Sequence, residues 1–232
     1  MASARPTPAV AVLIPALDCA PTIAGVVEAA RAHVDRVLVV DDGSADDTAT
    51  RATAAGAAVL RQKVNRGKGA ALRAGMQWLA ARGVTHVLTM DGDGQHLASE
   101  IPVLLAAAAA APDAIMIGAR QVGDQEVTAL RLFGNRFANR WVEIACGARV
   151  ADSQSGFRVY PAAATLAIGG RSERFAFETE VLIRAARAGL EIRSVPVAAY
   201  YPPADVRISH YRPWRDTVHI IAVVLGLMFR LR

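Results

Sequence analysis

Short β-branched runs at 10–14, 36–40, 57–60, 86–90 and 115–118 alternate with stretches of helical period at 22–32, 47–55, 69–81 and 100–110. This βαβ rhythm constrains the chain more than any other feature. It predicts an α/β fold with a mostly parallel central sheet flanked by helices on both faces. The alanine run Ala106 to Ala111 reads as the end of a helix, because alanine favours helix and Pro112 stops it. With 232 residues, 53% of them hydrophobic, the chain is long enough to bury one substantial core.

After Gly118 the rhythm changes to a polar loop near Gly123, a helix over 130–145, a loop at 152–155, a strand over 156–160, a helix over 177–188 and a strand over 191–197. We read 1–205 as one domain, with a donor half at about 10–118 and an acceptor half at about 119–205. The remainder, 206–232, is a basic and apolar segment. Its core, His219 to Phe229, is eleven almost wholly apolar residues bracketed by Arg212, Arg215, Arg230 and Arg232. A bilayer span needs about 20 residues. Two readings therefore stay open, a buried closing helix and a helix lying in a membrane interface with arginines at the headgroups.

Cys19 and Cys146 have neither metal-ligand spacing nor a histidine cluster, so both are expected as unpaired thiols. The net charge of +5 is carried nearly all by arginine, with Lys63 and Lys68 the only lysines. That charge suits phosphates, anionic lipid or nucleic acid, and charge alone does not choose among them. Nucleic acid is disfavoured as a partner, since the arginines are scattered and lack interleaved aromatic platforms. Arg5, Pro6, Pro8 and Pro15 break up the amino-terminal apolar run, so no signal peptide is read and a cytoplasmic location is expected.

Three constellations carry chemistry. Asp91, Gly92, Asp93, Gly94, Gln95 and His96 follow the strand 86–90, at the end of a strand where open α/β sheets bind ligands. Two carboxylates one residue apart on a glycine turn can face one divalent cation, the natural partner of a diphosphate. Asp41 and Asp42 end another strand, where either can accept hydrogen bonds from a base or ribose, while Asp46 or Asp47 can cap the following helix. Asn65, Arg66, Gly67, Lys68 and Gly69 form a basic glycine turn that opens a helix and favours phosphate, although it lacks the full Walker pattern of an ATPase.

Together with Val12 to Ala16 and with Ser155, Gly156, Phe157 and Arg158, these segments resemble glycosyltransferase family 2 over about residues 10–201. The similarity is to its dolichyl-phosphate mannose synthase and bacterial polyprenyl-phosphate branch. The resemblance implies the GT-A, Rossmann-like nucleotide-sugar-binding fold. It implies that Asp91, Asp93 and Gln95 bind Mg²⁺ or Mn²⁺ and the donor diphosphate, with Asp41 or Asp42 on the nucleoside and Pro15, Asp18 and Lys68 also on the donor. Leu17, Asp18 and Cys19 stand where the family usually has Tyr, Asn and Glu, so the base contacts are altered. For the acceptor phosphate it implies Arg120, Arg131, Ser155 and Arg158, with Asn135 where a serine is common, and then Arg207 and Ser209. Glu178 and Glu180 resemble a pair near the acceptor, though a helix-start carboxylate also suits the dipole. His96 is expected to stabilise its loop.

The expected reaction is an inverting displacement that moves a hexose from a nucleotide-diphosphate sugar of the GDP-mannose or UDP-glucose type. A lipid phosphate acceptor, probed at a membrane surface, arrives anionic and needs no strong base. A hydroxyl acceptor needs one, with Asp152 or Glu178 as candidates. Two competing readings are a nucleotidyltransferase, which would want a glycine-rich loop where Pro15 to Ala20 has no glycine, and a non-catalytic nucleotide-sugar binder.

Overall fold

The computed structural model describes residues 9–121, 139–200 and 213–229. The first half is built as the periodicity predicts. Strands β1 (Val10–Ala16), β2 (Val37–Asp41), β3 (Ala58–Arg61), β4 (His86–Thr89) and β5 (Ile115–Arg120) are separated by helices α1 (Ile23–Arg31), α2 (Thr48–Ala54), α3 (Lys68–Ala80) and α4 (Ile101–Ala110). Then come helical residues 139–146 (α5), β6 (Arg158–Pro161), α6 (Ala162–Ile168), α7 (Ala176–Arg187), β7 (Ile192–Val197) and α8 (Pro213–Phe229).

The strands form one sheet in the order β3-β2-β1-β4-β6-β5-β7. β6 alone runs antiparallel to its neighbours. The order reverses at β1, with β2 on one side and β4 on the other, so a crevice opens at the carboxyl ends of β1 and β4. β7 lies at an edge, which explains how it accommodates Pro196 without losing an inner ladder bond.

Alternation along the strands feeds two cores. Val12 and Ile14 of β1 face Ile23, Val27, Ile101 and Leu104 of α1 and α4. Ala11 and Leu13 face Leu72, Met76, Val181 and Leu182 of α3 and α7. Burying such side chains contributes about 1.5–3 kcal/mol each and holds the strand ends in register.

Sequence periodicity missed α6. Its signals are short but present: Pro161 at the start, alanines through the turn, and Gly169 in a left-handed conformation at the end. The helix expected over 130–145 is described over 139–146. The carboxyl-terminal helix is packed along one face and exposed along another. Ile220, Val224, Leu227 and Met228 of α8 pack with Ala145 and Ile183, while Val218, Ile221 and Leu225 are exposed. Arg187 Nη1 donates to the Leu227 carbonyl at 2.9 Å. No helix among the described residues is long and apolar enough to cross a membrane.

Candidate active site

Three loops at the carboxyl edge are tied to one another by side chain-to-backbone bonds. The Asp18 N–H donates to Ser44 Oγ, and Asp18 Oδ1 accepts the Ala45 N–H. Asp18 sits at φ 45°, a conformation that short polar side chains tolerate. Thr48 Oγ1 accepts the Cys19 N–H, and Thr22 Oγ1 donates to the Gly92 carbonyl at 2.6 Å. Of the two expected capping aspartates, Asp46 takes the Thr48 N–H, whereas Asp47 makes no side-chain cap. The partners that tie the loops together lie 26 to 70 residues apart in sequence, so no local pattern announces them. Pro15 lies in β1, paired with Val40 beside the aspartates.

Asp41 and Asp42 are both buried. Asp41 Oδ1 accepts the Ser44 N–H, and Arg61 Nε lies 3.1 Å from its Oδ2, without the alignment of a hydrogen bond. Asp42 accepts the Arg66 and Gly67 N–H groups at 2.9 and 2.7 Å, and thereby anchors the basic glycine turn. Burial pushes the Asp42 carboxyl up, against those two donors. Gly67 caps α3 at φ 95°, and a Cβ there would come within 2.6 Å of the Glu173 carbonyl.

That turn delivers Lys68 to the centre of the site. Its Nζ lies 2.6 Å from Asp91 Oδ1 and 3.0 Å from Glu178 Oε2. Burial would depress the ammonium, but the two carboxylates raise it above its usual range. Burial would likewise raise the Asp91 carboxyl, and Lys68 instead holds it down at about 2. Asp93 goes the other way, raised by burial and by the charge of Asp91. Gln95 supports Asp93 through its backbone N–H at 3.0 Å and its amide Nε2 at 2.5 Å.

His96 Nδ1 accepts the Asp91 N–H, and its ring stacks on Phe157 at 5.1 Å between centroids. Burial lowers its pKa to about 4, so the ring is a neutral brace for the turn. The Tyr200 N–H donates to the Gln95 carbonyl and closes the far side.

A divalent cation fits the charges present. Asp91, Asp93 and Glu178 set three carboxylates against one ammonium, and Glu178 Oε1 is buried with no hydrogen-bond partner. Asp91, Asp93 and Gln95 supply the hard oxygen donors that Mg²⁺ and Mn²⁺ prefer. Among the described residues no group of three or more His, Cys, Asp or Glu converges on a metal position.

The acceptor side departs from expectation in two places. Arg158, expected on the acceptor phosphate, is fully buried and donates to the carbonyls of Ser153, Ser155 and Glu178 and to Tyr160 Oη. Ser155, expected beside it, is also fully buried, with its hydroxyl accepting the Phe157 N–H. Both are struts, because their polar atoms are already engaged away from solvent. Arg120 stands at the end of β5 and grips Asp152 through Nε at 2.7 Å and Nη2 at 3.0 Å. That bidentate pair, against the cost of burial, holds the Asp152 carboxyl below its usual range. Asn139 Oδ1 accepts both the N–H and the hydroxyl of Ser153. Glu180 accepts the Arg171 and Ser172 N–H groups and pairs with Arg184. Arg131, Asn135, Arg207 and Ser209 lie outside the described residues.

Comparison with known proteins agrees with this fold. Residues 11–149 match the model of glycosyl transferase family 2. The chain is 34% identical over 215 residues to glycosyltransferase AglJ of Haloferax volcanii, covering 91% of this chain and 69% of the relative. It is 32% identical over 211 residues to the polyprenol monophosphomannose synthase of Mycolicibacterium smegmatis, covering 84% and 79%. Crystal structures of glucosyl-3-phosphoglycerate synthase from Mycobacterium tuberculosis superpose with TM-scores of 0.73 and 0.69 at 24% and 26% identity, covering 95% of this chain and 78% and 80% of theirs. Both hold Mn²⁺ and UDP, one with phosphoglyceric acid and the other with glucosyl-3-phosphoglycerate. The sheet order and these superpositions are those of the GT-A fold.

Proposed function

Because the chain belongs to glycosyl transferase family 2, we propose that it moves a hexose, with inversion, from a nucleotide-diphosphate sugar to a polyprenyl phosphate at a membrane surface. One observation favours an acceptor that arrives already ionised. Both candidate bases are committed to cations, Asp152 to Arg120 at 2.7 Å and Glu178 to Lys68 at 3.0 Å. The pair with Arg120 holds the Asp152 carboxyl below its usual range and makes it a weak proton acceptor, and Glu178 is occupied by Lys68, so the site suits a phosphate oxygen better than a hydroxyl.

In this reading Pro15, Asp18, Asp41 and Asp42 frame the nucleoside, and the cross-braced loops keep that frame rigid before the donor arrives. Asp91, Asp93 and Gln95 hold the divalent cation, which when bound stabilises the charge gathering on the departing nucleoside diphosphate. Lys68 fixes Asp91 in its ionised form. Arg120 carries positive charge to the acceptor side, and Arg131, Asn135, Arg207 and Ser209 extend it. An acceptor phosphate oxygen attacks the anomeric carbon as the bond to the nucleoside diphosphate breaks. The exposed apolar side chains Val218, Ile221 and Leu225 of α8 offer the contact with lipid, with the enzyme peripheral on the cytoplasmic face.

A hydroxyl acceptor is the second reading, favoured by the likeness to glucosyl-3-phosphoglycerate synthase. The deciding experiment measures nucleoside diphosphate release from GDP-mannose and UDP-glucose with Mn²⁺, using polyprenyl phosphate in liposomes or phosphoglycerate as acceptor. Release with the lipid phosphate is expected. Release with phosphoglycerate alone would replace the first reading by the second, and no release with any acceptor would leave a non-catalytic binder.

A further inference from the structure

Lys68 has two carboxylate partners of different standing. Asp91 is nearer, at 2.6 Å, with its side chain 30% exposed, and Glu178, at 3.0 Å, is 8% exposed. Glu178 also keeps one buried oxygen, Oε1, without a hydrogen-bond partner. Gly156, just before β6, packs closely against the ammonium on one side. A Cβ at Gly156 would come 2.8 Å from Lys68 Nζ and 3.0 Å from both Asp91 carboxylate oxygens. Phe175 lies on another side, with its ring centroid 5.9 Å from Nζ. The lysine therefore sits enclosed between two acceptors.

A divalent cation on Asp91 would compete with this ammonium for the same carboxylate, and two cations at contact distance repel strongly in a poorly solvated pocket. We propose that Lys68 is a shared counter-ion: it holds Asp91 in place until a divalent cation arrives, then passes to Glu178, so that Glu178 tunes cation affinity without touching the cation. The inference rests on the reading of Asp91 and Asp93 as cation ligands. It makes Lys68 and Glu178 positioning residues that link the donor side, at the end of β4, to the start of α7. Glu178 Oε1, buried without a hydrogen-bond partner beside the Oε2 that the ammonium already touches, is the acceptor this move would satisfy.

The test is a double-mutant cycle on Mn²⁺ affinity, read from the EPR signal of free Mn²⁺ in the absence of any sugar donor. Lys68→Met removes the competitor and should tighten Mn²⁺ by about tenfold. Glu178→Gln strands the ammonium on Asp91 and should weaken Mn²⁺ by about tenfold. In the double variant Glu178→Gln should have almost no effect, because its route through Lys68 is gone. Lys68→Arg, which keeps the charge, should keep the sensitivity to Glu178→Gln even where Lys68→Met folds poorly. Additive effects, or a Lys68→Arg protein insensitive to Glu178→Gln, would overturn the proposal while leaving the cation site intact. Absence of saturable Mn²⁺ binding in the wild type, or its retention in Asp93→Ala, would instead remove the cation site and the inference with it.

Discussion

The turn after β4 and the turn before β6 meet where Thr89 pairs with Arg158, and both are dense in polar groups, but only one leaves charge unbalanced. Around Arg158 four hydrogen bonds to three carbonyls and a tyrosine hydroxyl satisfy the cation internally. Around Asp91 and Asp93 three carboxylates, Glu178 included, face one lysine. A saturated polar network fixes shape, whereas an unsaturated one at a crevice has affinity to offer a ligand.

The most forceful way to break this contrast is Asp93→Ala, which should cut kcat/KM by about 10³-fold or more and abolish stabilisation by Mn²⁺ in thermal melts, with the metal-free fold retained. Turnover within a few-fold of wild type would end the assignment. Arg158→Met should act on stability: about 3 kcal/mol is lost, a fall in Tm of roughly 6–12 °C, because three buried carbonyls lose their donors. If it folds normally but loses acceptor affinity, Arg158 belongs to the ligand after all.

Gly156 is the joint between the two turns, and Gly156→Ala sharpens the comparison. Displacing Lys68 or Asp91 by a fraction of an ångström should lower kcat by roughly 10²-fold with only a small change in Tm. An unchanged kcat would show that the Lys68–Asp91 contact does not matter to turnover. The smallest effect is expected from Asp152→Asn, which breaks the pair with Arg120 and should cost about 1–2 kcal/mol at neutral pH. Asp152 has a folded pKa below its ordinary 3.8, so its contribution is fully present above that pH and disappears as pH falls through the folded value. The gap between wild type and Asp152→Asn in urea melts should therefore narrow on acidification. A loss of turnover of about 10²-fold in this variant would restore Asp152 as a general base.

Much of this contrast was legible in the chain. The period-2 and period-3.6 runs specified the βα units through α4, since each needs only local patterning and burial on a sheet. Asp91 and Asp93 stood out because a carboxylate pair at a strand end has few structural uses. Arg158 and Ser155 misled for the complementary reason. The family resemblance placed both on the acceptor phosphate, and nothing local reveals that Glu178, 20 residues on, will present its carbonyl to Arg158. The reversed direction of β6 was equally silent and the short helix α6 weakly marked, because strand direction and a single helical turn or two are decided by packing.

By itself, then, the sequence determined the parallel βα framework, the family to which the chain belongs and the two aspartates at the end of β4. Only the tertiary structure decided which charges remain for a ligand. Whether a side chain is free depends on partners brought from 20 to 110 residues away, as Arg158 meets Glu178 and Lys68 meets Glu178, and burial makes each such meeting nearly all-or-none.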